Sequence, residues 1–237
     1  ASMKSSGIEL TISSKNMRTK DFSWNTDFIF SKTKNEITDL KSHANVLSLI
    51  SGNGFGREGY PVRGLFSIPF AGLTEDGLPT FINQDGQKTI SSFNFQEYEK
   101  LDFLKYEGPT DPTITGSFGN ILTYKNLKLN VFVTYSFGNV IRLDPVFSNA
   151  YSDLDAMPKE FKNRWMKAGD ENVTNIPTIV STRMNQQYAY LNMAYNAYNY
   201  SDVRIADGGF IRLKEISLSY DLPAKVINFF RLNKLQL

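Results

Sequence analysis

The sequence predicts an all-β fold of antiparallel strands, read as a segment of a transmembrane β-barrel. Three observations predict it: recurrent period-two alternation of apolar and polar residues, runs longer than the strands of soluble domains, and connections that are either very tight or very long. Successive side chains on a strand point to opposite faces, so sustained alternation makes one greasy flank and one wet flank. Of the 237 residues 41% are hydrophobic and 14% aromatic, a content that buries a core and excludes a disordered chain.

In chain order, Ile8, Leu10 and Ile12 alternate with Glu9, Thr11 and Ser13. After a break at Lys20-Asp21, Phe22, Trp24, Phe28 and Phe30 share one parity, opposite Ser23, Asn25, Asp27 and Ser31. So short a break between alternating runs reads as a hairpin turn. A second hairpin centres on Asn126: Ile114, Phe118, Leu122 and Tyr124 precede it, and Leu127, Leu129, Val131, Val133, Tyr135 and Phe137 follow on one face. Lys128, Asn130, Thr134 and Ser136 occupy the other. The last clear run places Ile216, Leu218, Tyr220 and Leu222 opposite Glu215, Ser217, Ser219 and Asp221 before Pro223. A short helical turn over Ala224–Phe230 and a further strand from Arg231 are expected beyond it.

Several runs reach the ~9–11 residues that a tilted strand needs to cross a bilayer, against ~5–6 for a soluble strand. Aromatics stand near their ends, as in the girdles at the two interfaces of a membrane barrel. Two connections, Asn35–Asp111 and Asp144–Gly208, far exceed the ~12–15 residues usual for a structureless loop. Short turns at one rim and long extracellular loops at the other are the habit of outer-membrane barrels. Alternation alone equally suits a soluble β-sandwich with one wet face, here a glycan-binding surface protein.

Composition narrows the function classes. Lys and Arg number 26 against 24 Asp and Glu, and no basic cluster marks a nucleic-acid footprint. Without cysteine there is no disulfide, thiolate metal site or cysteine nucleophile, and one histidine, His43, argues against a zinc cluster or a histidine-based triad. No cofactor or metal is expected, and no enzymatic activity. The start Ala-Ser-Met-Lys-Ser-Ser has no apolar signal segment, which reads as a mature, processed or partial chain.

Several short motifs have plainer structural roles than the chemistry they suggest. Gly54-Phe55-Gly56-Arg57-Glu58-Gly59 matches a dinucleotide fingerprint, but Tyr60-Pro61 follows and no helix opens, so a loop is expected. Asn83-Gln84-Asp85-Gly86 holds half the ligands of a calcium loop and reads as a turn. Glu75-Asp76 and Asp153 with Asp155 lie in solvated stretches rather than as a glycosidase dyad. The run Gln186–Tyr200 offers more. Its Tyr188, Tyr190, Tyr195, Tyr198 and Tyr200 supply flat faces with polar edges, suited to stacking on sugars or packing against a lid protein.

Three ordered motifs carry a family resemblance. Gly108–Asn120 with Leu122-Thr123-Tyr124-Lys125-Asn126-Leu127 and then Thr134-Tyr135-Ser136-Phe137-Gly138-Asn139 resembles paired strands of SusC-like (SusC/RagA) TonB-dependent transporters of the Bacteroidetes outer membrane. Asn163-Arg164-Trp165, Gly169-Asp170-Glu171 and Thr174-Asn175-Ile176-Pro177 are similar to a second stretch. Asp207–Tyr220, reading DGGFIRLKEISLSY, looks like the family's most specific strand. The resemblance implies a C-terminal portion, roughly a third, of a barrel of about 22 strands, with the plug domain and final strands outside this chain. It also implies import of oligosaccharides or peptides, a SusD-like surface lipoprotein as lid, and energy from TonB acting through the plug. The remaining barrel would cover the open strand edges, which lipid cannot satisfy. Strand parity then directs Phe28, Leu129, Val131, Val133, Ile216 and Leu218 to lipid, and Ser117, Lys128, Asn130 and Ser217 to the lumen.

Overall fold

A computed structural model describes residues 1–52, 56–152, 154 and 156–223. The chain divides into two compact units. Among the described residues, a sheet unit comprises 5–34, 112–138 and 208–223; an insertion unit comprises 1–4, 35–111 and 139–207. The sequence reads as one barrel domain over 1–237, whereas the two long connections have gathered around a core of their own.

Five long strands form the sheet: β1 (Ser2–Arg18), β2 (Phe22–Asp39), β3 (Ile114–Tyr124), β4 (Leu127–Phe137) and β5 (Phe210–Tyr220), in that spatial order. The shortest have 11 residues and β1 and β2 have 17 and 18, enough to cross a bilayer at a tilt. The pairs resolved in register, β2 with β3, β3 with β4 and β4 with β5, are antiparallel. Both expected hairpins form. Thr19 N donates to Phe22 O at 2.8 Å across the first. In the second, Lys125 takes a left-handed φ of 53°, the backbone that a two-residue turn matching the strand twist requires. Asn126 then holds the end of β5: its Nδ2 donates to Asp221 O at 2.7 Å, and Asp221 N donates back to Asn126 O at 2.9 Å.

Register fixes the faces, because directly opposed residues share a side of the sheet. Phe28 opposes Phe118, Phe118 opposes Val133, and Val133 opposes Leu213. Trp24, Leu122, Leu129 and Leu218 form another such row. All six residues read as one flank from the sequence thus lie together, with Ser117, Lys128, Asn130 and Ser217 on the reverse. A β-bulge between Leu213 and Glu215 adds one residue to β5. The bulge shifts the alternation by one, so Ile211 and Leu213 join Ile216 and Leu218 despite their opposite sequence parity.

The two flanks are less pure than alternation alone suggests. Ile29, Ile121 and Phe132 stand among the polar residues, opposite Ser117, Asn130 and Gly119. Thr26 and Asn120, paired with each other, stand among the apolar ones. They are not left bare. Asn120 Oδ1 accepts from Trp24 Nε1 at 2.9 Å and from Thr26 Oγ1 at 2.8 Å, and Thr26 Oγ1 accepts from Asn16 Nδ2 at 2.6 Å. Gly116 sits beneath Tyr135, whose hydroxyl donates to Ile29 O at 2.9 Å; a Cβ at that position would collide with both groups.

In the insertion unit the core is formed by Val46, Leu49, Ile50, Phe66, Ile68, Leu78, Phe81, Tyr195 and Tyr198 with their neighbours. Three short ribbons surround it: Gly64–Ser67 with Lys105–Pro109, Val140–Arg142 with Ile205–Asp207, and the three strands Phe70–Leu73, Pro79–Ile82 and Lys88–Thr89. Helix α1 (Val46–Ser51) starts at Asn45, whose side chain accepts from Ser48 N at 2.8 Å, and stops at left-handed Gly52. Two arginines tie the unit together. Arg142 donates to Phe66 O at 2.6 Å and Ser201 O at 3.3 Å, and burial lowers its guanidinium pKa to about 10. Arg204, 3% exposed, pairs with Glu160 at 2.8 Å and lies over the Phe147 ring.

Among the described residues no helix is long and apolar enough to cross a membrane, and no cluster of His, Asp and Glu could hold a metal ion. The described part of the glycine-rich run, from Gly56, follows the end of α1 and opens no helix; Gly54 and Phe55 lie outside the described residues. So do Asp153, Asp155, the expected helical turn Ala224–Phe230 and the strand from Arg231. Asn83-Gln84-Asp85-Gly86 is a turn: Asn83 Oδ1 accepts from both Asp85 N and Gln87 N at 3.0 Å.

Candidate functional site: the tyrosine-rich face of the insertion unit

The tyrosine run folds as two helices, α2 (Thr182–Gln187) and α3 (Leu191–Asn199), separated by Tyr188-Ala189-Tyr190. Ser181 caps α2, accepting from Met184 N at 3.3 Å. In α3 the residues Leu191, Ala194, Tyr195 and Tyr198 recur at three- and four-residue spacing, and all four are buried. Helical spacing therefore sorts the five tyrosines into different roles.

Tyr195 and Tyr198 are 1% and 2% exposed and cannot meet a ligand or lid, which corrects the expectation for these two. Tyr195 donates its hydroxyl to Thr178 O, and Tyr198 stands edge-on to Phe147 with ring centroids 4.7 Å apart. Burial pushes both phenol pKa values up, since neither phenolate would be solvated. Tyr200 is half-buried beneath the Arg142 guanidinium. Tyr188 is also half-buried, at the edge of the core, and Tyr190 is exposed.

Tyr188 and Tyr190 each border a cleft. Tyr188 donates to Asp76 Oδ2 at 2.8 Å, and this bond raises its pKa. Around it Trp165, Arg183, Met184 and Gln187 line a cleft of about 460 Å³ that carries charges of both signs. Trp165 is held by a donated bond to Glu171 Oε2 at 3.1 Å and packs over Gly77, where the absence of a Cβ leaves room for the indole and the φ of 75° also favours glycine. Asp76, one half of a carboxylate pair considered for catalysis, thus serves a tyrosine instead.

Tyr190 borders the second cleft, also about 460 Å³, with Phe93 and Met193 as apolar lining and Gln84, Ser91, Ser92 and Asn94 as polar lining. Tyr190 is 70% exposed and takes a left-handed backbone, φ 63° and ψ 31°, at the start of α3. Sequence reasoning missed Gln84, Ser92 and Asn94 as its neighbours. They stand about a hundred positions away, and nothing in their local pattern signals the approach. In the sequence Trp165 stands out only as part of the Asn163-Arg164-Trp165 motif. His43 is exposed and lines a smaller cleft of about 220 Å³ with Arg57, Glu58 and Tyr98.

Comparison with known proteins gives this arrangement a setting. No family model matches the chain. It is 25% identical to TonB-dependent receptor P3 of Formosa agariphila over 93% of this chain, and 24% identical to receptors P39 and P26 of that organism over 96% and 94%. The chain spans only 22–25% of the length of these relatives. Among solved structures, the RagAB peptide transporter superposes with a TM-score of 0.65 at 22% identity, covering 94% of this chain and 23% of that one. The RagAB peptide importer in its open-open state gives 0.64 at 19% identity. Over nearly all its length the chain is thus similar to about a quarter of a TonB-dependent receptor, and its fold is that of about a quarter of the RagAB transporter chain.

Proposed function

We propose that this chain forms a C-terminal part of the barrel wall and the ligand-capturing loops of an outer-membrane, TonB-dependent importer. The observation that carries the reading is the two-sided meander of long strands, in which tight turns join β1 to β2 and β3 to β4 while the two long insertions join β2 to β3 and β4 to β5. Phe28, Leu129, Val131, Val133, Ile216 and Leu218 face lipid; Ser117, Lys128, Asn130 and Ser217 face the lumen. Further strands of the same barrel pair with the outer edges of β1 and β5. The insertion unit lies on the extracellular side, where a SusD-like lipoprotein closes over captured oligosaccharide or peptide and TonB acts through a plug. Tyr188 and Tyr190 are the ligand- or lid-contacting residues. The role is transport, without turnover.

A soluble sandwich would bury the apolar flank against a second sheet. Instead Phe118, Ile216 and Leu218 are 44%, 63% and 62% exposed, which suits a surface covered by lipid. In the full-length protein, Val131→Lys should abolish recovery from the outer membrane, because a charge near the bilayer midplane on this face costs about 2–4 kcal/mol. Asn130→Lys, one residue along, should assemble at the level of the parent. Equal recovery of the two variants would refute the assignment of faces.

A further inference from the structure

The Tyr190 cleft points to a ligand class, an inference that rests on the insertion unit being the capturing part of an importer. A bulky residue in the left-handed region is strained, and such strain persists where the surroundings impose it, commonly at ligand sites. At Tyr190 the strain gains no burial: the ring is 70% exposed beside the cleft. The floor is firm, since Phe93 is 8% exposed and stands edge-on to buried Phe81 with centroids 5.5 Å apart.

The polar lining is uncharged and only partly engaged: Ser91 Oγ donates to Ala189 O at 3.5 Å and Asn94 Oδ1 accepts from Gln96 N at 3.0 Å. Among the described residues, no hydrogen bond engages the Gln84 amide, whose Oε1 is buried and unpartnered, the Ser92 hydroxyl or the Asn94 Nδ2. Amides and hydroxyls that both donate and accept match sugar hydroxyls, which do the same, and an exposed phenol ring matches the C–H face of a pyranose. A peptide's charged termini and side chains would find no counter-charge here, unlike in the neighbouring cleft with Asp76 and Arg183. We propose that the cleft bounded by Tyr190, Phe93, Gln84, Ser92 and Asn94 is a subsite for one neutral sugar ring of an oligosaccharide. Tyr190 stacks on the ring, and the three polar side chains bind its hydroxyls.

The test uses the full-length transporter in detergent, titrated with cellohexaose, maltohexaose, laminarihexaose and a capped, uncharged hexapeptide, and followed by calorimetry and ligand-observed NMR. At least one hexasaccharide should bind, with saturation transferred to its ring C–H protons. Tyr190→Ala and Tyr190→Gly should weaken it by about tenfold or more. Gln84→Ala should weaken it less, and Tyr98→Ala, a change at an exposed tyrosine outside this cleft, should leave it unchanged. Glycine accepts the left-handed backbone, so Tyr190→Gly should unfold at the parent's temperature or above while still losing affinity. The proposal is overturned if no hexasaccharide binds, if Tyr190→Gly binds as the parent does, or if the peptide alone binds with the same dependence on Tyr190. Recovery of the variants from the outer membrane reports separately on the importer reading, so failure of the subsite and failure of the transporter assignment give different results.

Discussion

The sheet and the insertion unit use the same kinds of apolar residue to opposite ends. In the insertion unit Leu49, Ile50, Phe66 and Phe81 are fully buried, in contact with one another or with their neighbours. In the sheet, Ile211, Ile216 and Leu218 are more than 60% exposed on a flank whose neighbours in register are also apolar. The first region is stabilised from within. The second needs a low-dielectric surrounding and further strands at its edges, because unpaired backbone groups and bare apolar flanks are both costly in water. A chain can therefore hold a self-contained core and an unfinished wall side by side, and the two should fail under different insults.

The largest effect is expected where the core is emptied. Phe81→Ala should cost the insertion unit about 3–5 kcal/mol, read as rapid proteolysis of the insertions in intact cells while the barrel still reaches the outer membrane. Loss of the barrel as well would break the distinction between the regions. The Val131→Lys and Asn130→Lys pair probes the wall in the opposite sense, at about 2–4 kcal/mol for the first and near zero for the second.

A smaller effect is expected from the polar chain on the lipid-facing flank. Asn120→Leu would strand the Trp24 Nε1 and Thr26 hydroxyl donors and should cost about 1–2 kcal/mol, measured as a lower urea midpoint for the barrel in detergent. A gain in stability would mean that this network is a burden rather than a tie between strands.

The smallest effect lies in the insertion unit, at Glu107. Burial raises its carboxyl pKa, with Asp202 adding to the rise and the Lys105 ammonium, 3.5 Å away, and Arg142 opposing it. A raised carboxyl pKa means that folding favours the protonated form. The associated stability is full below the unfolded value of about 4.3 and is lost as pH rises through the folded value. Glu107→Gln should therefore be slightly more stable than the parent at pH 7 and indistinguishable from it in acid, by thermal unfolding at several pH values. A variant less stable at pH 7 would show that the ion pair outweighs the burial.

The wall was largely legible in the residues. Lys20-Asp21 and Lys125-Asn126 announced their turns, and the parity of Phe28, Val131 and Leu218 announced a shared flank, because both depend on local geometry with a fixed period of two. The limits Asn35 and Asp111 of the first long connection match a segment of the insertion unit, although β2 runs on to Asp39, whereas the second segment begins at Asn139 rather than at Asp144. The contents of the two connections were not legible. Gln186–Tyr200 reads as a uniform tyrosine-rich surface until α3 forms and its spacing carries Tyr195 and Tyr198 inward while leaving Tyr190 outside. The bulge at Lys214, which brings Ile211 and Leu213 into the apolar flank, leaves no mark that alternation can detect.

What the sequence determined by itself was the two-faced wall and the placement of its tight turns, since a strand's alternation is imposed by its own backbone. What only the tertiary structure decided was which tyrosines face outward and which distant amides and hydroxyls meet Tyr190. That depends on chain segments a hundred residues apart settling around one core, and no local period encodes such a meeting.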